Sequence, residues 1–159
     1  MINKMKIKRM NILCEYREGI KILLKEFNNI DCNDINYKLW LCYYLALFNK
    51  KLGNNRQAIY YIDEGLKYIE SEAVTDEITA SLLLYLMIQL KENELDDFQL
   101  ANSYIEIRNL LKNSIEEMSE EMIGLNLKIS LLMNNENEIN KYLNIAIELD
   151  YFDLIKLVK

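Results

Sequence analysis

The groups in this chain with the type and spacing for proton-transfer chemistry include three pairs of identical neighbouring acids: Asp96-Asp97, Glu116-Glu117 and Glu120-Glu121. Paired carboxylates can act as general acid and base when their surroundings separate their pKa values. These pairs lie in polar segments, where a solvated carboxylate is the ordinary state, and the sequence contains no histidine. No glycine-rich phosphate loop or nucleophile motif accompanies them. We therefore expect a protein that is not an enzyme and that carries no cofactor.

Cysteine is the other residue type that could supply a nucleophile or a metal ligand. Cys14, Cys32 and Cys42 are odd in number, no two are spaced as Cys-x-x-Cys, and no histidine is present to complete a zinc site. We expect reduced thiols, with Cys14 and Cys42 packed as small apolar residues and Cys32 exposed in a loop. The sequence predicts no metal site.

A cluster of aromatic residues is the stronger functional candidate. Its members are Tyr37, Trp40, Tyr43, Tyr44 and Phe48, followed by Tyr60, Tyr61 and Tyr68. Aromatic residues at helical spacing ordinarily fill a protein core, which is the first interpretation of this cluster. Rigid aromatic rings also anchor bound peptides, so a binding function would be sought here.

The hydrophobic spacing predicts an all-α chain. Proline is absent and there are only four glycines, so long helices with few breaks are expected. Apolar residues at spacings of three and four predict helices over 5–28, 37–51, 56–70, 75–91, 98–113, 120–133 and 137–148. The 37–51 helix is apolar on most sides and is expected to be central. The apolar tail, 151–158, is expected to dock as a C-terminal capping helix.

Small residues recur in the second helix of the predicted hairpins. Each such helix has an anchor position, and the anchors run from 19 to 58, 101 and 139, in steps of 39, 43 and 38: Gly19, Ala58, Ala101 and Ile139. Seven positions after the anchors come Glu26, Gly65, Arg108 and Ala146. Small side chains let two helices approach closely, so this spacing predicts stacked hairpins, although the second small position holds in only two of the four.

The segment 51–66, with its turn residue Gly53 and the small residues Ala58 and Gly65, resembles the turn and second helix of a tetratricopeptide hairpin. The period is longer than the about 34 residues of that family. Stretched, proline-poor repeats of this kind are similar to the peptide-binding domains of Gram-positive quorum-sensing regulators. The resemblance implies a single domain over 1–159, a right-handed array of antiparallel helical hairpins that binds a protein or peptide partner.

The register set by Ala58 turns three residues toward the inner, concave face of such an array: Trp40, Tyr43 and Leu47. Equivalent inner positions on the later first helices are Tyr85, Gln89, Asn126 and Lys128. We expect these seven residues to form a partner-binding surface of aromatic rings and polar groups. Two alternatives stay open. One is a homodimer formed through the tail or the first helix, and the other is a small acidic inhibitor protein from a mobile element.

The charge of the chain limits the class of partner. A formal net charge of -6 and a pI near 4.8 argue against binding to nucleic acid. One basic stretch, with Lys4, Lys6, Lys8 and Arg9, is interpreted as a solvated helix face, and contact with an acidic partner is the alternative. The segment ahead of the first complete hairpin, roughly 25 residues, is too short for a DNA-binding helix-turn-helix. No apolar run reaches about 18 residues and no signal-peptide pattern is present, so we expect no membrane contact and a cytoplasmic location.

Overall fold

The computed structural model describes residues 1–30, 33–71 and 73–158, and within these ranges it contains helices and turns but no strand. The all-α prediction is therefore confirmed. The helices, in chain order, are α1 (Lys4–Ile12), α2 (Tyr16–Asn29), α3 (Ile35–Lys51), α4 (Asn55–Glu70), α5 (Glu77–Lys91), α6 (Asp97–Leu111), α7 (Glu120–Leu132), α8 (Glu136–Glu148) and α9 (Phe152–Ile155), with a 3-10 turn at Glu92–Glu94 between α5 and α6.

The chain divides into two compact units, Met1–Leu90 and Lys91–Lys159, called unit 1 and unit 2 below. The prediction of one domain over 1–159 stays a prediction. Helices in each unit pack on their neighbours in sequence, as expected when short turns join amphipathic helices.

Unit 1 is built around α3, which is buried on nearly all sides. Leu39, Leu41, Leu45 and Phe48 are fully enclosed, and the Asp34 carboxylate caps the helix by accepting a hydrogen bond from the Tyr37 backbone N–H. A helix that is apolar all round requires neighbours on several sides, and α2 and α4 pack directly against α3. The predicted central position of this helix is confirmed.

Hydrogen bonds join α3 and α5 at both of their ends. The Asn36 side chain donates to the Thr75 hydroxyl at 2.7 Å and accepts from the backbone N–H groups of Thr75 and Asp76, both at 2.9 Å. At the opposite ends the Lys50 ammonium donates to the Gln89 carbonyl oxygen at 2.6 Å. Asn36–Thr75 and Lys50–Gln89 are each separated by 39 residues, so the two helices lie side by side and run in the same direction.

The same backbone turn ends four of the helices. A residue with positive φ follows each of these helices, and the next residue donates its N–H to the carbonyl five positions earlier, which is the Schellman arrangement. The positive-φ residues are Cys14, Gly53, Asn134 and Asp150. Only Gly53 adopts this conformation without a steric cost from Cβ.

The first of these turns corrects two expectations from the sequence. The predicted helix over 5–28 is in fact two helices, α1 and α2, separated by a turn at Cys14 with φ 58°. Cys14 is exposed in that turn, so the prediction that it packs as a small apolar residue was wrong. Cys42 is buried, as predicted, and Cys32 lies outside the described residues.

Unit 2 places α7 between α6 and α8, with α9 closing one end. A Leu154 methyl lies 3.0 Å from where a Cβ on Gly124 would stand, and the Tyr151 hydroxyl donates to the Met118 carbonyl at 2.6 Å. The tail therefore docks on the last hairpin, as predicted. Four small residues expected at helix contacts are buried in their respective units: Ala58, Gly65, Ala101 and Ala146.

Candidate functional site

A groove in unit 1 runs along the surface formed by α1, α3 and α5. Its volume is about 340 Å³, at the small end of the range for ligand sites. We call it the aromatic groove, and it is lined by Lys4, Lys8, Trp40, Tyr43, Tyr44, Asp76, Ile78, Thr79 and Leu82. Two of the predicted site residues, Trp40 and Tyr43, therefore line one concave surface.

Trp40 forms the floor of the aromatic groove rather than an exposed anchor. Only 4% of its surface is accessible, because Tyr37 stacks on it at 6.1 Å and Tyr44 packs against it at 4.8 Å between ring centroids. The Lys4 ammonium lies 5.1 Å from the Trp40 ring centroid, within the range of a cation–π contact. Tyr43 is half-buried, so it presents more surface to a ligand than Trp40 does.

The walls of the aromatic groove differ in charge and polarity. Ile78 and Leu82 are 57% and 40% exposed and supply an apolar wall from α5. The Asp76 carboxylate is occupied, since it accepts hydrogen bonds from the Thr79 backbone N–H and hydroxyl. Among the described residues no carboxylate pairs with the exposed ammonium groups of Lys4 and Lys8, so the edge formed by α1 is positive.

Burial keeps the groove's tyrosines neutral. It raises the pKa of the Tyr43 hydroxyl, to which the neighbouring Tyr44 adds a smaller effect, and it raises the pKa of the Tyr44 hydroxyl. Both hydroxyls therefore stay protonated at neutral pH and can donate hydrogen bonds as well as accept them.

Three of the predicted site residues lie elsewhere in unit 1. Leu47 and Tyr85 are half-buried on α3 and α5 and do not line the aromatic groove. Gln89 is exposed at the end of α5, where its side chain accepts the hydrogen bond from Lys50. The predicted participation of these three residues in binding stays a prediction.

Asn126 and Lys128 belong to unit 2, where they contact different residues of α6. Asn126 is buried at 8% exposure and accepts a hydrogen bond from Arg108 at 2.9 Å. The Lys128 ammonium lies 5.4 Å from the ring centroid of Tyr104. A single face containing all seven predicted residues stays a prediction.

A second cavity surrounds Arg108 and Asn126. Its volume is about 380 Å³. We call it the arginine pocket, and it is lined by Arg108, Asn109, Lys112, Asn113, Glu117, Met122, Asn126 and Tyr142. A smaller cavity of about 200 Å³ shares Arg108, Asn126 and Tyr142 with it, so the Arg108–Asn126 hydrogen bond stands between two recesses.

Sequence reasoning missed Lys4, Lys8 and Arg108. The two lysines were interpreted as part of a solvated face, with contact to an acidic partner as the alternative, and nothing in the spacing of α1 indicated that this helix borders the groove. Arg108 did leave a signal, because it occupies a position where the repeat favours a small residue.

The described part of the chain shows no metal centre: no group of three His, Cys, Asp or Glu side chains within it could hold an ion. The Cys42 thiol is a poor nucleophile, because burial raises its pKa to about 12 and Glu64 adds to the shift. No helix within the described ranges combines the length and the apolar character that crossing a membrane requires. No protein-family model, curated protein or solved structure matches the chain.

Proposed function

We propose that this chain is a non-enzymatic binding module and that the aromatic groove holds a short peptide segment of a partner protein. The observation that carries the proposal is the groove itself, where half-buried Tyr43 stands beside the exposed apolar wall of Ile78 and Leu82. Exposed apolar surface in a concave site gains free energy when a partner covers it. Rigid aromatic rings lose little conformational entropy on binding, which makes them effective anchors.

The chemistry of the groove selects the kind of peptide. Ile78 and Leu82 suit an aliphatic side chain, and the ammonium groups of Lys4 and Lys8 suit an acidic residue next to it. The neutral hydroxyl of Tyr43 can pair with a peptide carbonyl. The proposed ligand is therefore a segment in which a Leu, Ile or Val stands beside an Asp or Glu.

A displayed library of random heptapeptides, selected on the immobilised chain, tests this proposal. We expect enrichment of sequences that join an aliphatic residue to an acid. Because Trp40 is the chain's only tryptophan, its fluorescence should change when a selected peptide is titrated. The Tyr43→Ala variant should bind that peptide at least about tenfold more weakly, a typical loss for an interface anchor.

The matched control is Tyr60→Ala, which removes a tyrosine that is 51% exposed on α4 and does not line the groove. It should leave the affinity unchanged. Unchanged affinity in Tyr43→Ala would contradict the assignment of the groove as the binding site. The assignment would also be contradicted if the selected peptides lacked acidic residues and bound a Lys4→Gln, Lys8→Gln variant as tightly as the wild type.

We also propose that the hairpins are tetratricopeptide-like repeats with right-handed stacking. Three features support this assignment: the recurring Schellman turns, the 39-residue offset between bonded positions of α3 and α5, and the buried small residues at helix contacts. An experimental structure with a left-handed or closed arrangement of the hairpins would contradict it.

A second candidate function, a homodimer, is favoured by apolar side chains at the end of unit 2. Phe152 and Leu157 remain 65% and 46% exposed even though α9 docks on α7 and α8. A second copy of the chain could cover them. Light scattering over a concentration series tests this, with Phe152→Ser, Leu157→Ser as the variant; a full chain that stays monomeric rules the dimer out.

A further inference from the structure

Arg108 is a half-buried cation without a carboxylate partner. Its Nη1 donates to the Asn126 side-chain oxygen at 2.9 Å, and it forms no ion pair with any acid in the described residues. A guanidinium carries several other N–H donors in a fixed planar fork, and these remain available toward the pocket. Charged groups that lose water normally gain a counterion in exchange, and the described residues supply none to Arg108.

The surroundings of Arg108 add positive charge and uncharged polar groups. Lys112 lines the same pocket, and the Lys141 ammonium lies 5.0 Å from the ring centroid of Tyr142, another lining residue. The one acid on the pocket wall, Glu117, is exposed and forms no ion pair with Arg108. The residues that line this pocket therefore carry more positive than negative charge, in a chain whose net charge is -6, and a second acid, Glu138, lines the smaller cavity beside Arg108.

The polar partner of Arg108 is itself fixed in place. Asn126 is buried, and its backbone carbonyl accepts a hydrogen bond from the Ser130 hydroxyl at 2.7 Å. Its side-chain oxygen accepts from Nη1 and so fixes the orientation of the planar guanidinium, including its remaining donors. Preorganised planar donors match a carboxylate, which accepts two parallel N–H bonds from one arginine.

The position of the pocket favours a carboxylate over a phosphate group. Arg108 lies in the last turn of α6, where the helix dipole presents its negative end and opposes a doubly charged anion. Met122, in the first turn of α7, also lines the pocket, so the positive end of that helix offsets part of this repulsion, which is smaller for a singly charged carboxylate than for a phosphate.

From these observations we propose that the arginine pocket binds the carboxylate of a small ligand or peptide, with Arg108 gripping both oxygens and Lys112 adding charge. Met122 and the Tyr142 ring form an apolar contact for the group next to the carboxylate, and the amide of Asn109 can pair with an adjacent peptide bond. This site is separate from the aromatic groove and uses none of its residues.

The experiment compares N-acetyl-leucine with N-acetyl-leucinamide, which differ only in the carboxylate. Binding is followed by ¹H–¹⁵N spectra of the arginine Nε and asparagine side-chain groups of the full chain. We expect N-acetyl-leucine to shift the Arg108 and Asn126 signals and to bind at least about tenfold more tightly than the amide, the effect of one charge-assisted pair. Equal binding of the two compounds, or no binding of either, would overturn the proposal.

Variants separate a binding role from a structural one. Arg108→Gln should weaken N-acetyl-leucine binding by about tenfold or more, and Arg56→Gln, an exposed arginine on α4, should not change it. Lys112 is exposed, so Lys112→Gln should fold normally and still weaken binding a few-fold, roughly the effect of a peripheral charge. If Arg108→Gln and Lys112→Gln both bind N-acetyl-leucine as tightly as the wild type, the pocket is not an anion site.

The source of the carboxylate is assigned by three further probes in the same assay. These are a peptide ending in leucine with a free C-terminus, the same peptide amidated, and the amidated peptide with one internal Asp. Preference for the first assigns a chain terminus, and preference for the third assigns an acidic side chain. If N-acetyl-leucine binds and none of the three peptides does, the natural ligand is assigned as a free small acid.

Discussion

Unit 1 and unit 2 each contain a crossing of two neighbouring helices, α4 with α5 and α6 with α7, and the two crossings differ in chemistry. In unit 1, Gly65 meets Leu83, so closely that a Cβ on Gly65 would overlap with a Leu83 methyl. In unit 2, Arg108 meets Asn126 through a hydrogen bond. Arg108 follows Gly65 by 43 residues and Asn126 follows Leu83 by the same 43, so the two contacting pairs have the same spacing along the chain.

The comparison shows that neighbouring helices in this chain are joined by apolar packing in one unit and by a side-chain hydrogen bond in the other. The apolar crossing is fully buried, with Cys42 and Leu39 packed against the same point of Gly65. The polar crossing leaves recesses on both sides, of about 380 Å³ and 200 Å³. We therefore expect the first crossing to serve stability and the second to serve recognition, an expectation that mutations can test.

The largest effect is expected for Leu83→Asn, which places the unit 2 partner in the unit 1 crossing. Leu83 is fully buried, so the change removes its packing and buries an amide without a partner. The free energy of unfolding should fall by about 4 kcal/mol, measured by urea denaturation. The control is Leu82→Asn, at a site 40% exposed, where a loss of less than about 1 kcal/mol is expected. Equal losses of unfolding free energy in Leu82→Asn and Leu83→Asn would show that water reaches the crossing.

A smaller loss is expected for Asn126→Ala, which removes the acceptor of Arg108. The hydrogen bond to a charged group should cost about 2 kcal/mol of unfolding free energy. The double variant Arg108→Ala, Asn126→Leu makes the crossing apolar and should lie within about 1 kcal/mol of the wild type, because an apolar pair can replace a polar one with little loss. The control is a double-mutant cycle of Arg108→Ala, Asn126→Leu and their combination, measured by urea denaturation. If the losses of the two single variants add up in the combination, an apolar pair cannot replace the polar one.

The position of the first crossing could be predicted from the sequence, and the second could not. Ala58 and Gly65 fit a spacing that requires close approach, and both are buried as that spacing predicts. Arg108 is an exception to the same spacing. Such an exception identifies a position, but it does not predict which side chain of another helix will contact that position. The Cys14 turn was missed for a related reason: apolar residues continue at helical spacing across it, and cysteine is not a residue that usually marks a positive φ.

The groove was predicted only as far as α3. Trp40 and Tyr43 follow from helical register, since both lie on one long helix. Lys4 could not be placed, because its contact with the Trp40 ring depends on how α1 lies across α3, and no local pattern encodes that. Leu47 lies on the same helix but does not line the groove, since the groove's extent depends on the neighbouring helices.

Gly65→Ala should cause a moderate loss, about 1 kcal/mol of unfolding free energy. Crowding against Leu83 and Cys42 outweighs the better helix propensity of alanine. Gly124→Ala is the matched comparison, because its Cβ would meet only a Leu154 methyl at 3.0 Å, on a half-buried side chain that can move. That variant should be neutral or slightly stabilising in thermal denaturation. A larger loss of stability in Gly124→Ala than in Gly65→Ala would contradict the interpretation that Gly65 allows a close helix approach.

The smallest effect concerns the Cys42 thiol, which borders the apolar crossing. Its pKa is raised by burial from 9.0 to about 12, so the folded state favours the neutral thiol. That contribution to stability is complete below about pH 9 and is lost as the pH rises toward 12. In a Cys14→Ser, Cys32→Ser background, Cys42 should react with a thiol reagent at pH 8 only as fast as the protein unfolds. Rapid labelling without unfolding would mean that water reaches the crossing.

The Schellman turns also bear on how the chain acquires its structure during synthesis. Each turn joins two helices across only a few residues, so partners meet soon after both have left the ribosome. Without proline there is no slow isomerisation to wait for. Hairpins should therefore form in order of emergence, and a chain released early should still contain the folded hairpins it has already completed.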